Sequence, residues 1–204
     1  KGKKKLIKIF GKKYLNPFYI NVPGDPSSAA FFTGLTLLNK KSFLKIQKVG
    51  LNPTRIGFYE LLKKSGAKIK FKNIKKNNNE IYGDILIASS KIKPIKASRE
   101  YYVKATDEYP ILFVIAALTK GLSIFKGIGD LINKESNRIK EMQKILKQVG
   151  IKTIANGDEI KIYGNDGIKT KNKTIIVPNL GDHRICMASL VFSLLLGVKI
   201  EIKN

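Results

Sequence analysis

The chain has 204 residues, which is enough for one domain with a sizeable hydrophobic core. Its formal net charge is +24, and 43% of its residues are hydrophobic. No apolar run approaches the roughly 20 residues that a membrane-spanning helix needs, and the basic start KGKKK lacks the apolar stretch of a secretory signal. The single cysteine excludes an intrachain disulfide framework and a cysteine zinc cluster. We therefore expect a cytoplasmic α/β protein without a membrane partner.

Lysine carries almost all of the positive charge, since arginine occurs only at positions 55, 99, 138 and 184. The lysines are spread over the whole chain, without the interleaved arginine and aromatic residues of RNA-recognition strands. We therefore expect no specific nucleic-acid partner. Arginine in a lysine-rich chain favours places where a planar guanidinium binds carboxylate or phosphate. Arg138 and Arg184 are the better candidates because both lie at the beginnings of predicted helices with polar neighbours. Arg55 also begins a predicted helix, and Arg99 lies in a polar connector.

The first third of the chain predicts alternating helices and strands. Residues 1–16 are basic with an apolar patch at 6–10, which indicates an edge strand or the tail of a preceding unit. Asp25 is a suitable N-cap for a helix that ends at Leu38, with Pro26 at its first position. The other predicted elements are strands at 19–22, 43–49, 67–71 and 81–88, a helix at 55–64, and a polar turn at 75–79.

The order helix, strand, helix and two strands then repeats. Asp107 and Asp182 begin further helices, and with Asp25 they recur about every 80 residues. The third copy lacks its second helix and its last two strands, so we expect an exposed edge or a partner there. The predicted elements are helices at 109–119, 134–149 and 183–196, strands at 122–125, 151–154, 159–163 and 198–202, and a hairpin turn at Asn156-Gly157.

The motif KESNR at residues 134–138 opens the predicted helix at 134–149. In that helix Lys134 and Arg138 lie one turn apart on the same face. Cations at a helix start are electrostatically unfavourable, because the helix macrodipole already makes that end positive. An anionic ligand bound by both side chains and the free N–H groups would explain them. A solvated face of a lysine-rich protein is the other interpretation of this stretch alone.

Five motifs carry a family resemblance: VPGDPSSAAF at 22–31, NPTR at 52–55, DEYP at 107–110, KESNR at 134–138 and DHRICM at 182–187. Together they resemble the 3-phosphoshikimate 1-carboxyvinyltransferases, also called EPSP synthases, over nearly all of residues 17–204. The resemblance implies repeated βαβαββ units in an inside-out α/β barrel of the enolpyruvyl transferase type, with the third unit incomplete. Residues 1–22 then correspond to the end of a first domain and the interdomain crossing, and residues 23–204 to an incomplete second domain.

The resemblance also implies a reaction. The family transfers the enolpyruvyl group of phosphoenolpyruvate to the 5-hydroxyl of shikimate 3-phosphate and releases phosphate, with no metal or other cofactor. Asp107 corresponds to the carboxylate that contacts the shikimate hydroxyls and accepts the proton, and Glu135 to a carboxylate near the reacting carbon. Lys134 corresponds to a contact of shikimate 3-phosphate. Arg138 and Arg184 correspond to two arginines that bind phosphoenolpyruvate.

Some matches are weaker or absent. His183 either steadies the phosphate side or has a structural role beside the helix cap. Asn137 and Asp130 stand where some relatives have Asp and Asn, respectively. The family's other lysine, arginine, serine and glutamine contacts have no counterpart in this chain. We therefore expect a first domain or a companion chain to complete the site, and the isolated chain to be inactive.

Two alternatives stay open on sequence grounds. The positive charge is also typical of a basic nucleic-acid-binding module, such as one related to the RNA 3′-phosphate cyclases, which share a related fold. Steep salt dependence of binding would indicate that function. The enolpyruvyl transferases of cell-wall synthesis also share the fold, but the motifs fit the shikimate enzymes better.

Overall fold

The computed structural model describes residues 6–17, 19–169 and 174–203, so the basic run at 1–5 lies outside the described residues. The elements follow the chain as α1 (Pro26–Leu38), β1 (Phe43–Gly50), α2 (Gly57–Lys64), β2 (Lys68–Asn77), β3 (Glu80–Ala88), β4 (Lys96–Ala97), α3 (Arg99–Tyr102), α4 (Tyr109–Ala117), β5 (Gly121–Lys126), α5 (Arg138–Gln148), β6 (Lys152–Asn156), β7 (Glu159–Gly164), β8 (Thr174–Val177), α6 (His183–Leu196) and β9 (Lys199–Ile202). Short 3₁₀ turns at Thr106–Glu108 and Gly129–Asn133 precede α4 and α5.

Within the described ranges the strands form three sheets, with the orders β1-β3-β2, β4-β5-β7-β6 and β8-β9. β4 is parallel to β5, and β8 is parallel to β9. The first sheet has a similar edge, where Gly24 forms a parallel bridge to Val49 of β1. In all three cases a helical segment connects the two parallel partners, while the other pairings in the first and second sheets are antiparallel.

The core forms where α1, α4 and α6 pack against one another and against the sheets. Every residue of α4 is buried, because its sequence YPILFVIAA has no polar face to turn towards water. Tyr109, Phe113 and Phe125 of β5 contact one another edge to face, with ring centroids 5.1–5.9 Å apart. α4 is therefore the central helix of the described core.

Two of the three predicted aspartate caps are confirmed. Asp25 accepts hydrogen bonds from two backbone N–H groups of α1 at 3.1 and 2.9 Å. Asp182 accepts from two backbone N–H groups of α6 at 3.0 and 3.4 Å. The cap predicted at Asp107 is wrong, because this residue lies inside the 3₁₀ turn Thr106–Glu108, and no side chain in the described part of the protein caps that turn or α4. The Asp107 side chain is therefore left for other partners.

The helix predicted from residue 134 begins instead at Arg138. Lys134 follows the 3₁₀ turn with φ −85° and ψ −164°, which is extended backbone. The side chain of Asn137 accepts a hydrogen bond from the Lys140 N–H at 3.0 Å and caps α5. The prediction that Lys134 and Arg138 share one helix face is therefore wrong, although Arg138 does begin a helix.

The strand predicted at residues 19–22 is also wrong. These residues have no regular structure, and Tyr19 and Val22 are largely exposed. The edge strand considered for residues 1–16 is not formed over 6–16, where the apolar side chains at 6–10 lie in solvent. Pro23 directly follows the strand predicted at 19–22, and it has no N–H to donate to a neighbouring strand.

The remaining predicted elements are confirmed within a few residues at their ends, although β2 is longer than predicted. The polar turn predicted at 75–79 narrows to Asn78 and Asn79, which have φ of 46° and 66° and join β2 to β3. Asparagine tolerates this left-handed conformation better than most residues. The hairpin predicted at Asn156-Gly157 joins β6 to β7, with Gly157 at φ 50°.

Across the described residues, no helix is long and apolar enough to cross a bilayer. The same residues contain no group of three or more histidine, cysteine, aspartate or glutamate side chains that could hold a metal ion. Cys186 is partly buried on α6, and burial raises the pKa of its thiol above the ordinary value.

Gly164 closes β7 where a side chain has no room. A Cβ there would lie 2.0 Å from the carbonyl oxygen of Ala116 and 2.1 Å from that of Thr119. We expect Gly164→Ala to lower the free energy of unfolding by about 1–3 kcal/mol, because backbone atoms cannot move aside as a flexible side chain can. Urea denaturation followed by circular dichroism measures this loss.

Gly167→Ala is the matched control, because the nearest atom to its Cβ would be 3.6 Å away. We expect its stability to stay within about 0.5 kcal/mol of the wild type. Equal stability of the two variants would contradict the close approach at Gly164.

Candidate functional site

Arg138 lies at the centre of a cluster of charged side chains. It is the first residue of α5, and only 1% of its side chain is exposed. Burying a guanidinium is unfavourable unless anionic groups accept its hydrogen bonds. The partners of Arg138 therefore define the cluster.

Three carboxylates share this guanidinium. Nε donates to Oδ2 of Asp182 at 3.0 Å, and Nη2 lies 3.5 Å from Oδ1 of the same residue. Nη2 also donates to Oε2 of Glu135 at 2.5 Å, and Nη1 to Oδ1 of Asp107 at 3.4 Å. Burial lowers the pKa of Arg138, but the three carboxylates outweigh burial and raise it above its ordinary value. Arg138 thus joins the turn before α4, the loop before α5 and the start of α6.

Asp182 has two functions in this cluster. Its side chain is fully buried, and its oxygens cap α6 while they hold Arg138. Oδ2 also accepts a hydrogen bond from Oγ of Ser136 at 2.9 Å. Burial alone would raise the pKa of Asp182, but the hydrogen bonds from Arg138 and Ser136 hold it below its ordinary value. A buried, ionised aspartate therefore fixes the position of Arg138.

Asp107 bridges two arginines. Its Oδ1 faces Arg138 at 3.4 Å, and its Oδ2 accepts a hydrogen bond from Nη2 of Arg184 at 3.3 Å. Arg184 is the second residue of α6, and 15% of its side chain is exposed, against 38% for Asp107. The two guanidiniums orient the carboxylate, and its exposure leaves it accessible to a ligand.

Lys134 forms a separate pair at the edge of the cluster. Its Nζ lies 2.8 Å from Oδ2 of Asp130, which also accepts a hydrogen bond from the hydroxyl of Tyr102 at 2.7 Å. Lys134 and Tyr102 lower the pKa of Asp130. Burial and Asp130 raise the pKa of Tyr102, while the charge of Arg138 opposes this rise. Lys134 directly precedes Glu135 of the central cluster in the chain, so this pair lies beside the cluster.

His183 is the first residue of α6, and it is exposed. Its side chain has no hydrogen-bond or ion-pair partner among the residues that the structure describes. It lies between Asp182 and Arg184 in sequence without joining their contacts. The structure therefore brings Asp107, Glu135, Arg138 and Arg184 into one network and leaves His183 beside it.

Sequence reasoning missed two members of the network. It gave Asp182 only a capping role and Ser136 no role. Both residues lie inside the motifs that carry the family resemblance, and this was the signal available in the sequence. The contact between Asp182 and Arg138 depends on how α5 and α6 pack, and no local pattern specifies that packing.

The cluster carries no excess positive charge. Of the three carboxylates that bind Arg138, Asp107 and Glu135 are the exposed ones, and they occupy positions on the guanidiniums that an anionic ligand could take. The arrangement can therefore bind an anion by exchange of a carboxylate, with a proton acceptor close by. Three cations face four carboxylates: Lys134, Arg138 and Arg184 against Asp107, Asp130, Glu135 and Asp182.

Comparison with known proteins gives a consistent result. The family model described as EPSP synthase (3-phosphoshikimate 1-carboxyvinyltransferase) matches residues 1–204. The 3-phosphoshikimate 1-carboxyvinyltransferase of Zymomonas mobilis is 38% identical over 192 residues, which are 93% of this chain and 42% of the relative. That of Aquifex aeolicus is 35% identical over 200 residues, 98% of this chain and 46% of the relative. The chain thus spans less than half the length of these curated relatives.

Solved structures agree with the sequence comparison. An EPSP synthase structure from Acinetobacter baumannii superposes with a TM-score of 0.76 at 34% identity, covering 88% of this chain and 40% of that chain. The enolpyruvyl transferase NikO from Streptomyces tendae gives a TM-score of 0.57 at 13% identity, covering 86% of this chain and 37% of that chain. The likeness to NikO concerns the fold alone.

Asp182→Asn tests the buried ion pair, because it keeps a capping side chain and removes the charge. The lowered pKa of Asp182 means that its ionised form stabilises the fold above the unfolded pKa of about 3.9 and that this contribution is lost as pH falls further. We expect the variant to lose about 3 kcal/mol of unfolding free energy at pH 7. The difference from wild type should shrink below about pH 4.

Urea unfolding at a series of pH values measures this difference. Asp166→Asn is the control, because Asp166 is exposed and lies outside the cluster. The unfolding free energy of Asp166→Asn should equal that of the wild type at every pH. A difference for Asp182→Asn that stays constant from pH 7 to strongly acidic pH would contradict the assignment of an ionised Asp182.

Proposed function

This chain belongs to the EPSP synthase family, and from that premise we propose that it supplies one wall of an enolpyruvyl transfer site. In this site the enolpyruvyl group of phosphoenolpyruvate passes to the 5-hydroxyl of shikimate 3-phosphate, and phosphate is released. The convergence of Arg138 and Arg184 on Asp107 is the observation that carries the proposal. These residues come from three separate motifs, and all three lie at or just before the start of a helix.

The proposal includes the finer architecture of the family. We assign the chain to repeated βαβαββ units, the third of them incomplete, with inner helices and outer sheets, as in an inside-out α/β barrel. The parallel pair at the start of each sheet and the packing of α1, α4 and α6 at the centre support this assignment. Residues 23–204 then form most of a second domain, and residues 1–22 form the end of a first domain and the crossing.

Asp107 and Glu135 are the proposed proton-transfer groups. The reaction needs a base near the attacking hydroxyl and an acid near the methylene carbon of phosphoenolpyruvate. Asp107 is exposed enough to meet the shikimate hydroxyls, and two guanidiniums orient it. Glu135 is 48% exposed and lies on the other side of Arg138, which suits a second carboxylate at the reacting carbon.

Arg138 and Arg184 are the proposed ligands of phosphoenolpyruvate. Its carboxylate and phosphate can replace Asp107 and Glu135 on the two guanidiniums. Charge-assisted bonds of this kind contribute about 1.5–3 kcal/mol each. The displaced carboxylates then face the substrates, where proton transfer requires them. Arg138 remains held by Asp182 throughout this exchange.

Lys134 and His183 complete the proposed wall. Lys134 is 28% exposed and can leave Asp130 for the phosphate of shikimate 3-phosphate. His183 is exposed at the start of α6, so it can steady a phosphate group, although the cap at Asp182 does not depend on it. No step of this proposal uses a metal or other cofactor.

The charge balance supports a site completed by another part of the protein. Two multiply anionic substrates require excess positive charge nearby, and this cluster has none because its four carboxylates outnumber its three cations. We propose that a first domain or a companion chain supplies the opposing cations. The positive charge of the rest of this chain is spread over its surface and cannot replace them.

Arg184→Ala, made in the whole protein that contains this chain, tests the binding role. We expect kcat/KM to fall by about 10²–10³, as when one preorganised charge-stabilising group is removed. The phosphate-release assay with both substrates measures it. Arg99→Ala is the matched control, since Arg99 is an exposed arginine outside the cluster. Equal kinetics of the two variants would refute the role of Arg184.

The isolated chain provides a second test. We expect no phosphate release above the background without protein, because the opposing cations are absent. The same assay with the whole protein is the control. Turnover by the isolated chain at a rate close to that of the whole protein would contradict the proposal that another segment completes the site.

A further inference from the structure

A second acid is buried directly behind Asp107. Glu108 is only 2% exposed, and Ser27 of α1 is fully buried beside it. The hydroxyl of Ser27 donates a short hydrogen bond to Oε1 of Glu108. Burying a carboxylate is unfavourable unless its hydrogen bonds are satisfied. The reaction proposed above uses neither residue, so this arrangement requires an explanation of its own.

Arg55 completes the arrangement. Its Nη2 donates to Oγ of Ser27 at 3.1 Å and lies 3.8 Å from Oδ1 of Asp25. A guanidinium has no acceptor atom, so the Ser27 hydroxyl accepts from Arg55 and keeps its own hydrogen for Glu108. The hydrogen bonds therefore run in one direction, from Arg55 through Ser27 to Glu108.

The chain of hydrogen bonds ends on the turn that carries Asp107. In the turn Thr106–Glu108, Asp107 faces the two arginines and Glu108 faces α1. Among the residues that the structure describes, no side chain caps this turn. The Thr106 side chain bonds locally, since its Oγ1 donates to the carbonyl oxygen of Tyr102 at 2.7 Å. Glu108 is thus the side chain of the turn that anchors it to α1.

We propose that Glu108, held by Ser27, is a positioning residue for Asp107. Arg55 belongs to the same arrangement, because it orients the Ser27 hydroxyl. We call the hydrogen-bonded series Arg55, Ser27 and Glu108 the relay. The relay holds the turn from behind while the two arginines hold Asp107 from the front. This inference rests on the proposed function of Asp107 and extends it to residues outside the substrate-binding wall.

The electrostatics agree with this geometry. Burial raises the pKa of Glu108, and the neighbouring charge of Asp107 adds to the rise. The hydrogen bond from Ser27 and the charge of Arg55 oppose both effects. Glu108 follows Asp107 directly in the chain, so the hydrogen bonds of Glu108 adjoin the proposed substrate wall.

Ser27→Ala in the whole protein tests the relay. A catalytic group displaced by about 1 Å can lose up to about 10²-fold in rate. We expect kcat to fall by about 10-fold or more, while KM for phosphoenolpyruvate changes less than about 2-fold because both binding arginines remain. Ser28→Ala is the matched control, since Ser28 is an exposed serine on the same helix that binds Asp25 and not Glu108.

Two further measurements separate the outcomes. Arg55→Ala removes a half-exposed side chain that the core does not need, and it should lower kcat less than Ser27→Ala does. The crystal structure of Ser27→Ala gives the distance between Asp107 and Arg184 without reference to turnover; this distance is 3.3 Å here. We expect that contact to lengthen or break.

Equal kcat for Ser27→Ala and Ser28→Ala would overturn the relay, as would an unchanged Asp107 position in the Ser27→Ala structure. The relay would also be overturned if Ser27→Ala raised KM for phosphoenolpyruvate as much as it lowered kcat and lost much of its thermal stability. That result would indicate a merely structural role. A wild-type protein that releases no phosphate would refute the proposed function instead, and the crystallographic test of the relay would still apply.

Discussion

The buried ion pair between Arg138 and Asp182 determines the arrangement of the other charged side chains. Both side chains are almost completely removed from water, so their hydrogen bonds have to be satisfied within the protein. Asp182 does this by capping α6, accepting from Ser136 and holding the guanidinium. The start of α5 is thereby fixed relative to the start of α6. Asp107 and Glu135 then take the remaining positions on the guanidinium, where they face outwards.

Much of the fold could be predicted because its signals are local. An aspartate before an apolar helix indicated the caps at Asp25 and Asp182, and an asparagine-glycine pair indicated the hairpin between β6 and β7. The apolar run at residues 109–119 indicated the helix α4. β8 was not predicted, because its four residues pair in parallel with β9 across a helix, and such pairing leaves little pattern in so short a strand.

The candidate site was only partly predictable, for the same physical reason. The motifs selected Asp107, Glu135, Arg138 and Arg184, yet nothing in the sequence distinguished an aspartate that caps a helix from one that bridges two arginines. At Asp107 tertiary contacts prevailed over capping. At Lys134 extended backbone after a 3₁₀ turn replaced the predicted first turn of the helix. Hydrogen-bond partners that come from distant segments depend on packing, which local propensity does not encode.

The surface lysines and the ion-paired side chains of the cluster act on anions in different ways, because the cluster itself carries no excess positive charge. The net charge of +24 belongs to the chain as a whole, and lysines spread over the surface carry most of it. The electric field of these lysines attracts anions from all directions. Salt screens this field beyond a Debye length of about 8 Å at physiological ionic strength. The ion pairs of the cluster act over a few ångströms, largely within the protein. Added salt should therefore slow the arrival of anions at this surface much more than it weakens the discrimination among those already bound.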